Sequence, residues 1–134
     1  MALDNTAKRH LRGLAHRLEP IARIGSKRVT DGVVAHIDEL LEARELIKVR
    51  LLDADRDEVI EARDRLVAET GAEVVQMIGG TLVLFRRRAH EPEILLPGER
   101  PFAHQKRREK AQRTQSRSGR ATRGRGPATP RRRR

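Results

Sequence analysis

A short basic segment between two apolar runs carries the clearest chemical signal in this 134-residue sequence. Residues 21–24 predict a strand, residues 25–28 (Gly-Ser-Lys-Arg) predict a loop, and Thr30 predicts the start of a helix. Such a loop offers an anion its backbone N–H groups and the positive end of the helix dipole. Lys27 and Arg28 add two cationic side chains. The segment is therefore a candidate phosphate site, although the signal is weak by itself and a solvated turn fits it equally well.

The sequence offers no convincing catalytic or metal-binding set. It has no cysteine, tyrosine or tryptophan, which excludes thiolate chemistry, disulfides and Cys-based zinc sites. His10 and His16 fall on different faces of a predicted helix, which is poor metal geometry. Asp53, Asp55 and Asp57 alternate as at the start of a calcium loop, but the glycine and glutamate that such a loop needs further on are missing. We therefore expect a non-enzyme with no metal and no cofactor.

The distribution of charge favours a polyanion as the partner. The net charge is +11, and residues 86–134 hold 17 Lys and Arg against 4 Asp and Glu. Residues 8–28 hold seven basic residues and one acid, whereas residues 29–85 have a net charge of −7. This polarity is typical of an oriented nucleic-acid-binding protein. Because Phe85 and Phe102 are the only aromatic residues, base stacking cannot be the main mode, and backbone recognition of structured RNA is favoured.

The apolar spacing predicts one α/β domain over residues 1–88. Helices are predicted over residues 5–18, 30–43 and 55–70, and strands over residues 21–24, 46–52, 73–78 and 81–86. Asn5 or Thr6 is expected to cap the first helix, Asp55 and Glu58 a later one, and residues 79–80 (Gly-Gly) predict a hairpin. The order α-β-α-β-α-β-β predicts a compact two-layer α/β sandwich with a mixed four-stranded sheet.

Residues 89–134 are predicted to form a disordered, arginine-rich tail, because they offer little apolar surface to bury. Within them, Ile94–Leu96 is expected to dock on the core, and residues 103–115 are a candidate for a basic helix on an RNA surface. The sequence shows no apolar run of signal-peptide or membrane-spanning length. We therefore expect a soluble cytoplasmic protein with no membrane partner. A monomer is expected, while pairing through residues 46–52 or 82–85 stays open if either strand is a free edge.

An ordered series of short matches resembles the YhbY-like CRM-domain proteins, where CRM stands for chloroplast RNA splicing and ribosome maturation. The series covers about residues 3–87 and comprises residues 8–16, 19–21, 24–25, 30–33, 45–49, 70–73, 75–76, 78–79 and 82–86. The resemblance implies a fold similar to the C-terminal domain of bacterial translation initiation factor three. It also implies RNA binding through a GxxG loop and the adjacent basic surface. In stand-alone bacterial members it implies association with precursors of the large ribosomal subunit.

The resemblance places the GxxG loop of the family at residues 25–28. Gly25 matches the first glycine, and Ser26 and Lys27 match the variable pair. Arg28 occupies the position of the second glycine, so the motif is broken here. Arg28 either strains a backbone that needs positive φ, at about 1 kcal/mol or more, or supplies a charged contact of its own to phosphate. We favour the charged contact.

The sequence therefore predicts a non-catalytic RNA-binding protein that engages precursor RNA of the large ribosomal subunit. Its predicted RNA contacts are Lys8, Arg9, Arg12, Gly25, Ser26, Lys27 and Arg28. Ribosomal proteins are further candidate partners. Two alternatives stay open: a general polyanion-binding protein driven by its tail, and an adaptor whose acidic helices recruit a basic protein.

Overall fold

The structure is a computed structural model that describes residues 3–25 and 28–113. Its elements are α1 (Asn5–Ala15), β1 (Ala22–Ile24), α2 (Asp31–Arg44), β2 (Leu46–Leu51), α3 (Arg56–Thr70), β3 (Glu73–Ile78), β4 (Thr81–Phe85) and, over residues 103–113, α4. The predicted order of helices and strands is confirmed. α1 ends at Ala15 rather than at residue 18, because a turn closed by Leu18 N–H and Ala15 O (2.9 Å) leads into Pro20.

Side-chain oxygens cap the first two helices. The carboxylate of Asp4 accepts the N–H of Ala7 at 2.7 Å, so the predicted cap at Asn5 or Thr6 is wrong by one or two residues. Asp4 is the capping residue because this position must keep an extended backbone, whereas Asn5 is already helical. Thr30 caps α2 as predicted.

The four strands form one mixed sheet in the order β1-β2-β4-β3, which confirms the predicted sheet. β1 is parallel to β2, and β4 lies between β2 and β3, antiparallel to both. Gly79 (φ 55°) and Gly80 make the predicted hairpin turn. A Cβ on Gly80 would lie 2.7 Å from the carbonyl oxygen of Leu51, so only glycine fits there. β2 and β4 are interior strands, so neither of the strands considered for self-association is a free edge.

Helices cover both faces of this sheet, which corrects the predicted two-layer arrangement to three layers. α2 and α3 pack on one face, where the core includes Ile37, Leu41, Leu66, Ile47, Val49, Leu82 and Leu84. α1 packs on the other face, over Leu46, Val75, Val83 and Phe85. β4 is apolar at successive positions, a pattern typical of a strand that is buried on both faces.

The chain beyond β4 returns to the α1 side of the sheet, and the first compact unit ends at Glu99, whereas the sequence placed the domain boundary at residue 88. Ile94 and Leu96 pack against the cluster under α1, which confirms the expected docking of residues 94–96. These apolar contacts give residues 86–99 a reason to be ordered that composition alone does not show.

Glu45 holds this returning segment from inside the domain. Its side chain is fully buried, and its carboxylate accepts the backbone N–H of Glu93 (2.7 Å), Ile94 (3.0 Å) and Arg88 (3.2 Å). Its own carbonyl accepts the N–H of Arg86 at 2.8 Å. A buried carboxylate is tolerated only when hydrogen bonds replace its water, and here the returning backbone supplies them.

Acid is expected to release the end of this segment. Arg87 donates twice to the carboxylate of Glu99, and Leu96 N–H donates to it at 2.8 Å. These hydrogen bonds, that of Arg87 first, lower the pKa of Glu99 from 4.5 to about 2. Because the folded pKa is the lower one, the contact stabilises the fold above pH 4.5 and is lost as the pH falls through about 2. An NMR titration should show the Glu99 carboxyl and the Leu96 amide shifting together near pH 2. A carboxyl midpoint at 4.5 would contradict the ion pair.

The second unit begins at residue 100. Gln105 accepts the N–H of Phe102 at 3.0 Å at the start of α4, and the rings of Phe102 and His104 stack with centroids 5.9 Å apart. The predicted basic helix is thus present over residues 103–113, while residues 114–134 lie outside the described residues. Within residues 3–25 and 28–113, no helix is long and apolar enough to cross a membrane.

Candidate nucleic-acid interface

α1 covers only part of its sheet face, and the remaining part is lined by cationic side chains. Residues that pair in register share a face of a sheet, and Arg23 of β1 pairs with Arg50 of β2. Lys48 lies two residues before Arg50 and therefore on the same face. We call this surface, defined by Arg23, Lys48 and Arg50, the open sheet face. Its cations share one face because buried residues alternate with them in both strands. Arg23 and Arg50 lie side by side because the two strands pair in this register.

The basic stripe of α1 borders the open sheet face. Arg12 and His16 line a groove of about 470 Å³ together with Lys48, and the rest of its lining is Gly13, Ala15, Gln76, Ile78, Thr81 and Val83. Lys8 lies one helical turn before Arg12, and Arg9 is exposed beside it. The structure thus brings Arg12 to the open sheet face, while Lys8 and Arg9 continue the stripe along the helix away from the groove.

The basic loop leaves the sheet at the end of β1, directly after the open sheet face. Arg28 N–H donates to the carbonyl of Gly25 at 3.0 Å. Gly25 is exposed, and the space where a Cβ would stand is open. Ser26 and Lys27, the other two predicted contacts, lie outside the described residues.

The side chain of Arg28 is bound within the protein. Its backbone is left-handed (φ 59°), the conformation for which glycine is favoured. Nε donates to Glu58 at 2.8 Å, Nη1 to Leu52 O at 2.7 Å and Gly25 O at 3.3 Å, and Nη2 to Asp53 O at 2.8 Å. Sequence reasoning treated backbone strain and a free cation as alternatives. In the structure the strained backbone is present and the cation is engaged by the β2–α3 turn.

Glu58 connects Arg28 to the start of α3. It forms the predicted capping box with Asp55, since each side chain accepts the backbone N–H of the other. The hydrogen bond from the Asp55 backbone and then that from Arg28 lower the pKa of Glu58. The carboxylate is therefore charged at neutral pH and serves the helix cap and the arginine at once.

The layer of α2 and α3 carries the opposite charge. Exposed acids on it include Asp31, Asp38, Glu39, Glu42, Glu61, Asp64 and Glu69. Arg65 of α3 donates to the carbonyl of Val29, to Asp31 at 2.7 Å and to Glu69 at 2.6 Å. The carboxylates of Glu69 first, and then of Asp31, raise the pKa of Arg65. The exposed acids of α2 and α3 therefore outnumber the exposed arginines of these helices, whereas the open sheet face and the exposed stripe of α1 carry cations.

Arg23, Lys48 and Arg50 are candidate contacts that sequence reasoning missed. The signal was the presence of cations at alternate positions of two consecutive strands. In the described part of the chain, no group of three or more His, Cys, Asp or Glu side chains could hold a metal ion.

A mixed sheet with an open cationic face, bordered by a basic helix and a loop at a helix start, defines a polyanion-binding α/β domain. The family model described as the CRS1 / YhbY (CRM) domain matches residues 3–86, and the chain belongs to this family. It is 42% identical over 95 residues to an RNA-binding protein of Haemophilus influenzae, covering 71% of this chain and 95% of that protein. It is also 42% identical over 98 residues to the "Probable RNA-binding protein YqeI" of Bacillus subtilis, covering 71% and 99%. The solution structure of the Staphylococcus aureus protein SAV1595 matches with a TM-score of 0.63 and 40% identity, over 72% of this chain and all of that one.

Proposed function

We propose that this chain is a non-catalytic, cytoplasmic RNA-binding protein that associates with precursor RNA of the large ribosomal subunit during assembly. The observation that carries the proposal is the segregation of charge. Arg23, Lys48 and Arg50 lie on one sheet face beside Arg12 of α1, while acids predominate on the opposite layer of α2 and α3. An oriented cationic surface of this kind fits the phosphate backbone. The relatives named as RNA-binding proteins favour RNA as the ligand.

The proposed RNA contacts are six of those predicted from sequence, extended by the open sheet face: Lys8, Arg9, Arg12, Gly25, Ser26, Lys27, Arg23, Lys48 and Arg50. Arg28 is left out because its guanidinium is engaged within the protein. Phe85 is 1% exposed and cannot stack on a base. The surface is therefore suited to reading the shape and phosphates of structured RNA rather than single bases. Ribosomal proteins are further proposed partners, and the domain is proposed to act as a monomer.

Sedimentation of cell lysate on a sucrose gradient tests this proposal. The proteins to probe are the full chain, residues 1–99, and full-length variants that lose two cations each: Lys48→Ala with Arg50→Ala, and, as the matched control, Arg56→Ala with Arg63→Ala on α3. We expect the full chain, residues 1–99 and the control to peak with precursors of the large subunit. The Lys48/Arg50 variant should move toward the top of the gradient, because it loses phosphate contacts. If the tail alone governs sedimentation and spreads the protein over all RNA-containing fractions, general polyanion binding replaces the proposal.

A further inference from the structure

We propose that Arg28 is a positioning residue of the RNA site rather than a phosphate ligand. It stands where the family loop has its second glycine and locks the start of α2 to the β2–α3 turn. This inference rests on the proposed function, because RNA is the ligand whose contact Arg28 would prepare. It replaces the direct phosphate contact that the sequence alone favoured for this residue.

The backbone of Arg28 has an unfavourable conformation. Arg28 has φ 59°, and an L-residue with a long side chain is strained in this left-handed region. Strain of this kind persists only where the surroundings over-determine the conformation. Here the surroundings are the carbonyl of Gly25, which accepts the N–H of Arg28 at 3.0 Å, and the partners of its guanidinium.

The guanidinium of Arg28 donates its hydrogen bonds to the protein. Each of its three nitrogens donates to the protein at 2.8 Å or less, to Glu58, Leu52 O and Asp53 O. The rigid fork of arginine fits this set of a carboxylate and two carbonyls, which a single ammonium group cannot satisfy together. The side chain is only 25% exposed. With the bond from Nη1 to Gly25 O, four of the five N–H groups of the guanidinium are engaged, so a phosphate could reach only one Nη2 N–H without displacing a partner of Arg28.

A second arginine, Arg65, binds the residues that follow Arg28. Arg65 donates to the carbonyl of Val29 and to the carboxylate of Asp31. Two sets of hydrogen bonds thus hold residues 28–31. Arg28 donates to the turn before α3, and Arg65 of α3 donates to Val29 and Asp31. A segment that is ordered before binding loses less entropy when the ligand binds. The contacts of Arg28 and Arg65 therefore raise the affinity for RNA without touching RNA.

The dependence of binding on salt separates the two roles. We would measure the affinity of the full chain, Arg28→Gly and Arg28→Lys for a transcript of large-subunit ribosomal RNA at several KCl concentrations, well below each melting temperature. Each phosphate contact contributes about 0.7–0.9 to the slope of log K against log salt. A positioning role predicts that both variants bind about fivefold to tenfold more weakly with unchanged slopes. A ligand role predicts a smaller slope for Arg28→Gly and near-normal binding for Arg28→Lys, which would overturn the inference.

Glu58→Gln, with Glu61→Gln as the matched control, gives an independent test that keeps Arg28 intact. Glutamine retains one oxygen for the capping box but cannot offer a second to Arg28. Glu61 is exposed on the same helix and forms no hydrogen bond or ion pair within the described residues, so its replacement reports the change of charge alone. A positioning role predicts weaker binding for Glu58→Gln than for Glu61→Gln. If Glu58→Gln instead binds more tightly and with a steeper salt slope, Arg28 has been freed to act as a ligand and the inference fails.

Failure of the inference differs from failure of the proposed function. If the full chain prefers the RNA transcript over duplex DNA but Arg28→Gly binds like the wild type, Arg28 has no positioning role and the RNA-binding function stands. If the full chain shows no such preference and Lys48→Ala with Arg50→Ala binds normally, the proposed function fails and the inference fails with it.

Discussion

Replacement of Glu45 by alanine is expected to destabilise the first compact unit by about 3 kcal/mol. The buried carboxylate accepts three backbone N–H groups of the returning segment. Alanine would leave these donors without partners in a water-poor site or force residues 86–99 to detach. Detachment would in turn expose Ile94 and Leu96, which pack on the cluster under α1. Either route weakens the fold, and urea unfolding monitored by circular dichroism measures the loss.

Two further variants make the Glu45 prediction specific. Glu45→Gln keeps the oxygen that serves Glu93 and Ile94 but turns an amide donor toward Arg88 N–H, so we expect a loss of about 1–2 kcal/mol. Glu39→Gln, an exposed change on α2, which ends directly before Glu45, should stay within about 0.5 kcal/mol of the wild type. Hydrogen exchange should accelerate at the amides of Glu93 and Ile94 in both Glu45 variants. Wild-type stability of Glu45→Ala would show that the carboxylate does not hold the segment.

Removal of the basic stripe of α1 is expected to have the largest effect on RNA binding. In the described part of the chain, Lys8, Arg9 and Arg12 form no hydrogen bond or ion pair with the protein, so all three are available to phosphate. The triple change to alanine should lower the salt slope by about 2 and weaken binding about 100-fold near physiological salt. Filter binding with a large-subunit RNA transcript across several salt concentrations measures both quantities.

The control for the α1 variant is again Arg56→Ala with Arg63→Ala, which removes two charges from the acidic layer. We expect this control to change the slope by less than about 0.3, because the charges it removes do not face phosphate. The α1 residues are exposed or half-buried at the helix surface, so the triple variant should melt close to the wild type. Equal losses per charge in the two variants would indicate unoriented polyanion binding.

Local features of the sequence predicted most of the elements and the place of the loop. The capping box of Asp55 and Glu58 and the hairpin at Gly79 depend on a few consecutive residues, and both occur as predicted. The buried and open faces of β2 likewise follow from a local period of two. One local feature was nevertheless predicted wrongly. The cap at Asp4 was missed because several neighbouring side chains could cap the helix equally well by type.

The candidate site was predictable only in part, because part of it depends on which strands pair. Gly25, Lys27 and Arg28 stand together in the chain, so their loop was visible in the sequence. Arg23 and Arg50 meet only because β1 pairs with β2 in one particular register, which links residues far apart in the sequence.

The sequence alone determined the order of helices and strands, the charge polarity and the position of the basic loop, because propensity, periodicity and capping act over a few residues. Only the tertiary structure decided that β4 enters between β2 and β3, that α1 covers the second face, and that Glu45 binds the segment after β4. It also decided that Arg28 faces Glu58 and the β2–α3 turn instead of solvent. Long-range hydrogen bonds of this kind depend on which surfaces the packed core brings together. They therefore cannot be predicted from a local sequence pattern.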